Sequence, residues 1–211
     1  MLMQGKDSKS MKKIVLASAS PRRQELLKQI GLDFEVKAAQ VDETLPLNLP
    51  PGEAVCELAY RKARETAGAI GDGIVIGADT VVVNGDTVLG KPADYADAFE
   101  TLRRLSGKDH LVITGFCVMD AATGKVAKAS ESTRVIFRRL TDREIQAYVD
   151  SGEPMDKAGS YGIQGLGAVL VESIEGCYFN VVGLPLTRLA IVLKDFGVEV
   201  LESAENPGRI Y

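Results

Sequence analysis

Short unbroken apolar runs alternate with stretches of helical periodicity along most of this chain. Ile14 to Ala17 is apolar at every position, the pattern of a strand covered on both faces. Ser20 and Pro21 then supply an N-cap and a first helical residue, Leu26, Leu27 and Ile30 an apolar helical face, and Gly31 a stop. Phe34 to Ala38 alternates as a strand, and residues 40–52, with three prolines and Gly52, predict a loop. Val55, Leu58, Ala59, Ala63 and Ala67 recur on one face of a long amphipathic helix, with Arg61, Lys62 and Arg64 on its flanks. Ile74-Val75-Ile76 predicts a buried strand ending at Gly77-Ala78-Asp79-Thr80, and Asn84-Gly85-Asp86 predicts a hairpin between Val81–Val83 and Thr87–Leu89.

The second half continues in the same way. A helix is predicted across residues 95–105, strands at Leu111–Met119 and Val126–Phe137, and a capping box at Thr141–Glu144 opens another helix. Four glycines crowd Asp156 to Gly167; Val169–Ile174 and Tyr178–Val182 read as a hairpin, and a last helix starts at Pro185. Interleaved strands and helices without an internal repeat predict an α/β fold with a mixed sheet.

Composition narrows the partners. The 211 residues carry 29 acids against 25 bases, a formal net charge of −4, which excludes the broad basic surface of a nucleic-acid binder but not a small basic pocket. Cys56, Cys117 and Cys177 are odd in number and far apart, as reduced thiols of a cytoplasmic protein would be. His110 is the only histidine, so a histidine-rich zinc site is excluded, and the residue reads as structural. Met11-Lys12-Lys13 before Ile14 imitates a signal peptide, but its apolar stretch is too short for one. No segment approaches the length of a membrane span. Residues 1–10 read as a polar extension before a single domain over 11–211.

Several positions carry chemistry. Arg22 and Arg23 fall in the first turn of the first helix, where the macrodipole disfavours cations unless an anion docks there. Phosphate binding is one reading; solvation or pairing with a carboxylate such as Glu25 is the other. Asp79, leaving a buried strand between small residues, suits Mg²⁺ binding or water orientation, or else caps its own turn. Lys91 between Gly90 and Pro92, and Lys62 on a helix flank, are phosphate ligands or solvated cations. Glu43 in the Pro-rich loop is the carboxylate to pair with Asp79 around a hard cation. The 162–167 glycines lack the order and context of a dinucleotide fingerprint. They suit close backbone approach to a ligand, with Gln164 offering a donor and an acceptor to a base edge.

Leu-Ala-Ser-Ala-Ser-Pro-Arg-Arg (16–23), Gly-Ala-Asp-Thr (77–80), Gly-Lys-Pro (90–92), Lys-Ala-Gly-Ser-Tyr-Gly-Ile-Gln-Gly (157–165) and Val-Val-Gly-Leu-Pro (181–185) together resemble the Maf family from about residue 13 to 196. The resemblance implies an elongated two-lobed α/β fold related to the inosine triphosphate pyrophosphatases, with a central cleft. It implies a nucleoside triphosphate pyrophosphatase that uses a divalent metal, Mg²⁺ or in its place Mn²⁺ or Co²⁺, and commonly forms a homodimer. Asp79 matches the family's general base and metal position, and Glu43 its second acidic position. Ser18, Arg22, Arg23, Lys62 and Lys91 match the phosphate-binding set. Arg22, Thr80 and Gln164 match the three positions that mark the dTTP/UTP branch. The rival implication, from the phenotype behind the family name, is a non-catalytic, nucleotide-sensing regulator of septum formation.

Overall fold

The computed structural model describes residues 12–46 and 48–201, so the expected N-terminal extension lies outside the described residues. In chain order the elements are β1 (Ile14–Leu16), α1 (Pro21–Gln29), β2 (Glu35–Val36), α2 (Pro51–Ile70), β3 (Ile74–Asn84), β4 (Thr87–Leu89) and α3 (Tyr95–Leu105). There follow β5 (Asp109–Asp120), β6 (Val126–Phe137), α4 (Asp142–Asp150), β7 (Val171–Glu175), α5 (Tyr178–Val182) and α6 (Leu186–Lys194). Three short 3₁₀ turns, Glu153–Asp156, Ala158–Ser160 and Gly165–Leu170, fill the stretch before β7.

One mixed sheet runs β2-β1-β3-β5-β6-β7, with β4 added to β3. The two β1 pairings are parallel and the rest antiparallel. Leu16, Ile74, Ile76 and Phe116 face α1 and α6 through Leu26, Leu27, Leu186 and Leu189. The opposite face meets α2 through Val15, Val75, Cys117, Ala59 and Ala63. A second core at the other end of the long strands joins Val82, Val112, Val135 and Phe137 to α3 and α4. The molecule thus has the expected mixed α/β architecture with two core regions. Among the described residues no helix is long and apolar enough to cross a membrane.

Glycine decides how closely α2 approaches the sheet. A Cβ on Gly77 would stand 2.3 Å from the Ala59 carbonyl oxygen, and one on Gly115 would stand 2.6 Å from the Cys56 amide nitrogen. Small residues on both surfaces therefore bring the α2 backbone almost onto β3 and β5. The three cysteines are free thiols, and burial pushes the Cys117 thiol up to about 12.

Three readings are corrected. β3 does not stop at residues 77–80 but continues through eleven residues, because β5 pairs with it from Ile74 to Val83. Tyr178–Val182 is a helix, not a strand: its Asn180 is fully buried and bonded to the Val112 carbonyl and the Thr114 amide, contacts that override a strand-like composition. Ser20 holds the N-cap position of α1 without a side-chain bond; its own N–H donates to Ser18 Oγ at 3.3 Å.

His110 is structural, as expected. It is buried, edge-on to Phe137 and Tyr161, with Nε2 2.7 Å from the Tyr161 hydroxyl. Burial lowers its pKa from 6.5 to about 4. The folded chain therefore keeps the ring neutral where the unfolded chain protonates it, so acid favours unfolding. Stability is fully present above the unfolded value and falls as pH drops from 6.5 towards 4. The slope approaches about 1.4 kcal/mol per pH unit. Urea unfolding between pH 7 and 5 checks this, with the single imidazole NMR signal as reporter. A ring titrating near 6.5 in the folded protein would contradict it.

Candidate active site

The edge of β3 is covered at its two ends only. β1 pairs with Ile74 to Ile76, and β4 pairs with Val82 to Asn84. Between them residues 77–81 face a cleft, because β1 ends at Leu16 and the chain turns away into α1. Asp79 is the middle residue of this open stretch. Alternation puts Asp79 on the α2 side and Thr80 on the α1 side, so the cleft receives side chains from both faces. Its volume is about 370 Å³, within the usual size of a small-molecule site.

Every site residue expected from the sequence lines this one cleft. Ser18, Arg22 and Arg23 come from the β1–α1 junction, Glu43 from the loop before α2, and Lys62 from α2. Asp79 and Thr80 come from β3, Lys91 from the loop after β4, and Gln164 from the glycine-rich segment. Asp156 and Lys157, to which the sequence reading gave no role, line it too. The charged run Glu153-Pro-Met-Asp-Lys ahead of the glycines was the signal available for them. Five basic and three acidic side chains line the cleft, a local excess of positive charge on a chain of net charge −4.

Lys62 is no solvated flank. Although it lies on a polar-looking position of α2, its side chain is 8% exposed and its Nζ bridges Glu43 Oε1 and Asp79 Oδ1, each at 2.7 Å. The approach of α2 to Gly77 and Gly115 allows this, since Gly115 is the β5 residue directly opposite Asp79. The hydrogen bond from Lys62 holds the Glu43 carboxyl below its ordinary pKa, so it is ionised at neutral pH. Of the two Asp79 carboxylate oxygens, only Oδ1 has a hydrogen-bond partner among the described residues. Oδ2 is left without one.

The two arginines divide their roles. Arg22 reaches across the cleft to Asp156 Oδ2 at 3.3 Å. Arg23 turns inward and donates to the Gly183 and Ala78 carbonyls at 2.9 Å, to Ser18 Oγ at 3.0 Å and to Thr80 Oγ1 at 3.1 Å. Burial lowers its pKa while Asp79 opposes that change, and a guanidinium stays charged in any case. Arg23, on α1, thus ties the β1–α1 junction to β3 and to the turn after α5. Thr80 Oγ1 lies 2.9 Å from Thr114 Oγ1, whose proton goes to the Asn180 carbonyl, so Thr80 donates to Thr114 and accepts from Arg23. Ser18 Oγ accepts twice, from Ser20 N–H and Arg23, which leaves its own proton to donate.

The glycines at 162–167 approach protein groups rather than open space. A Cβ on Gly162 would lie 2.9 Å from Lys157 Cε, and one on Gly165 would lie 2.8 Å from Glu153 Oε2. The Gln164 amide has no protein partner among the described residues.

A divalent cation fits Glu43 and Asp79 as a two-carboxylate site. Their oxygens already converge on one ammonium, and Mg²⁺ is commonly held by one or two carboxylates plus phosphate oxygens and water. Among the described residues no cluster of three or more His, Cys, Asp or Glu side chains could hold a metal, so such an ion would complete its shell with water or substrate oxygens.

A mixed-sheet α/β protein whose cationic cleft adjoins paired carboxylates is built to take a polyanion. The sequence model of the family described as Maf-like protein matches residues 13–196, and the chain belongs to that family. A dTTP/UTP pyrophosphatase of Pelotomaculum thermopropionicum is 58% identical over 191 residues, covering 90% of this chain and all of that protein. One from Acetivibrio thermocellus is 54% identical over 199 residues, covering 91% and 99%. A Ham1 protein from Coxiella burnetii is similar in structure at TM-score 0.49 and 18% identity, over 88% of this chain and 100% of that one.

Proposed function

We propose that this chain hydrolyses the α–β anhydride of dTTP and UTP, releasing the nucleoside monophosphate and pyrophosphate. The observation that carries this is Asp79, half-engaged by Lys62 with one oxygen free, at the centre of a cleft with surplus cations. Relatives over half identical across nine-tenths of the chain, named for that activity, support the same reading. Nucleoside triphosphates carry a chain of anionic oxygens, for which the cleft offers Arg22, Lys91 and the Ser18 hydroxyl, with Lys157, bonded to Asp156 and the Glu153 carbonyl, adding charge. Arg23, most of whose donors are committed, positions Ser18 and Thr80 and contributes its charge.

In the reaction, Asp79 Oδ2 takes the proton of a water aligned with the anhydride. The water oxygen bonds to phosphorus, the bridging P–O bond breaks, and pyrophosphate leaves with the electron pair. Lys62 holds the Asp79 carboxylate in place through Oδ1. A divalent cation on Glu43 and Asp79 would neutralise phosphate oxygens as charge shifts to the leaving group. Gln164, its amide uncommitted, reads the edge of the pyrimidine, and Arg22 and Thr80 line the cleft with it.

The purified chain with Mg²⁺ and a panel of triphosphates tests the proposal by pyrophosphate release. UTP and dTTP are expected to turn over, with activity lost on chelation by EDTA and restored by excess Mg²⁺. Tight nucleotide binding without any release would overturn it in favour of a sensor.

A further inference from the structure

Gln164 lies in a segment without sheet partners, so the amides around it must find acceptors elsewhere. They find one unit of two side chains. Glu153 Oε2 accepts from Leu166 N–H at 2.9 Å, and Oε1 accepts from Gly167 N–H at 3.1 Å and from the Tyr148 hydroxyl at 2.9 Å. The Tyr148 oxygen in turn accepts from Gly162 N–H at 3.2 Å. The backbone is thereby held two residues before Gln164 and two and three residues after it. The glycine pattern follows from this wrapping. Gly165 has φ +65° directly over the carboxylate, and a Cβ on Gly167 would come within 2.7 Å of the Tyr148 hydroxyl oxygen.

Uracil and cytosine present opposite patterns at the edge that separates them: a carbonyl and an N–H in one, an amino group and a bare nitrogen in the other. A primary amide carries both a donor and an acceptor. A freely turning glutamine therefore suits either base, and discrimination requires that its backbone, and with it the side chain's approach, be fixed.

We infer that Glu153, assisted by Tyr148, is a positioning residue for substrate selection, clamping the 162–167 segment so that Gln164 meets a uracil or thymine edge in one orientation. This rests on the pyrimidine reading proposed above. Neither residue lines the cleft, so the clamp acts on which base is accepted and how well, not on the bond broken.

The test compares Glu153→Gln, Tyr148→Phe and Gln164→Ala with the unaltered chain, measuring kcat and KM for UTP and CTP. A glutamine at 153 retains one acceptor oxygen and cannot serve both Leu166 and Gly167. Glu153→Gln is expected to raise KM for UTP about tenfold with kcat within about threefold, and to cut the UTP-over-CTP preference about tenfold. Tyr148→Phe is expected to act in the same direction, about threefold, and it decides the matter alone if Glu153→Gln does not fold. Faster amide exchange at Gly162, Leu166 and Gly167 accompanies the expected result. Preference retained in both clamp variants but lost in Gln164→Ala would overturn the clamp and leave the base reading standing. Preference retained in Gln164→Ala would overturn the base reading itself, and the clamp with it.

Discussion

Asp79→Asn is expected to lower kcat for UTP and dTTP by about 10³-fold, within the 10²–10⁴ that a placed general base supplies. The substitution is nearly isosteric. The asparagine carbonyl oxygen still accepts from Lys62 Nζ, which also keeps its bond to Glu43. Fold and cleft geometry therefore persist, and what disappears is the basic oxygen at Oδ2 together with one negative charge. With Mg²⁺ held saturating, to offset the weakened Glu43–Asp79 cation site, losing that charge from a cleft that receives a polyanion leaves nucleotide affinity equal or higher. The expected signature is thus a collapse in kcat with KM unchanged or reduced. Single-turnover pyrophosphate release alongside calorimetric nucleotide binding measures both parts. A variant that keeps more than a tenth of kcat would remove Asp79 from the role of base.

Gly77→Ala is expected to cost both stability and turnover, although Gly77 touches no ligand. Its new Cβ would lie 2.3 Å from the Ala59 carbonyl and 3.0 Å from the Ala63 nitrogen, both backbone atoms that cannot swing aside. α2 must lift from the sheet. Overpacking of this kind costs about 3 kcal/mol at the upper end of its usual range. For a chain of this size that lowers Tm by about 6–12 °C. Lifting α2 also withdraws Lys62 from Asp79, and a misplacement of about 1 Å near reacting groups costs about 10²-fold in rate. Gly68→Ala is the control on the same helix. Nothing stands within 4 Å of its added Cβ, so it is expected to raise stability by about 1 kcal/mol and leave kcat alone. Equal effects at the two positions would refute close helix–sheet approach as the device that sets the Lys62–Asp79 contact.

Much of this was legible along the chain. Apolar runs marked β1 and the start of β3, helical periodicity marked α1 and α2, Pro185 marked the start of α6, and the Thr141–Glu144 capping box marked α4, where both reciprocal bonds form. These are local signals, set by which residues nearby in sequence need burial or capping. The chemistry-bearing positions were legible as well, since Ser18, Arg22, Arg23, Glu43, Lys62, Asp79, Thr80, Lys91 and Gln164 all line one cleft.

Residue types and their spacing alone determined the alternation of strands and helices, the exclusion of a broad basic surface, and the positions that carry charge. Tertiary structure decided what those groups do to one another. It buried Arg23 as a cross-link at the edge of the cleft, drew Lys62 off a helix flank and between two carboxylates, and made Tyr178–Val182 helical around the buried Asn180. It also set Glu153 beneath a loop a dozen residues further on. The reason is common to all four: each depends on acceptors or charges from segments brought together by folding. Burial makes satisfying those groups worth more than any local preference.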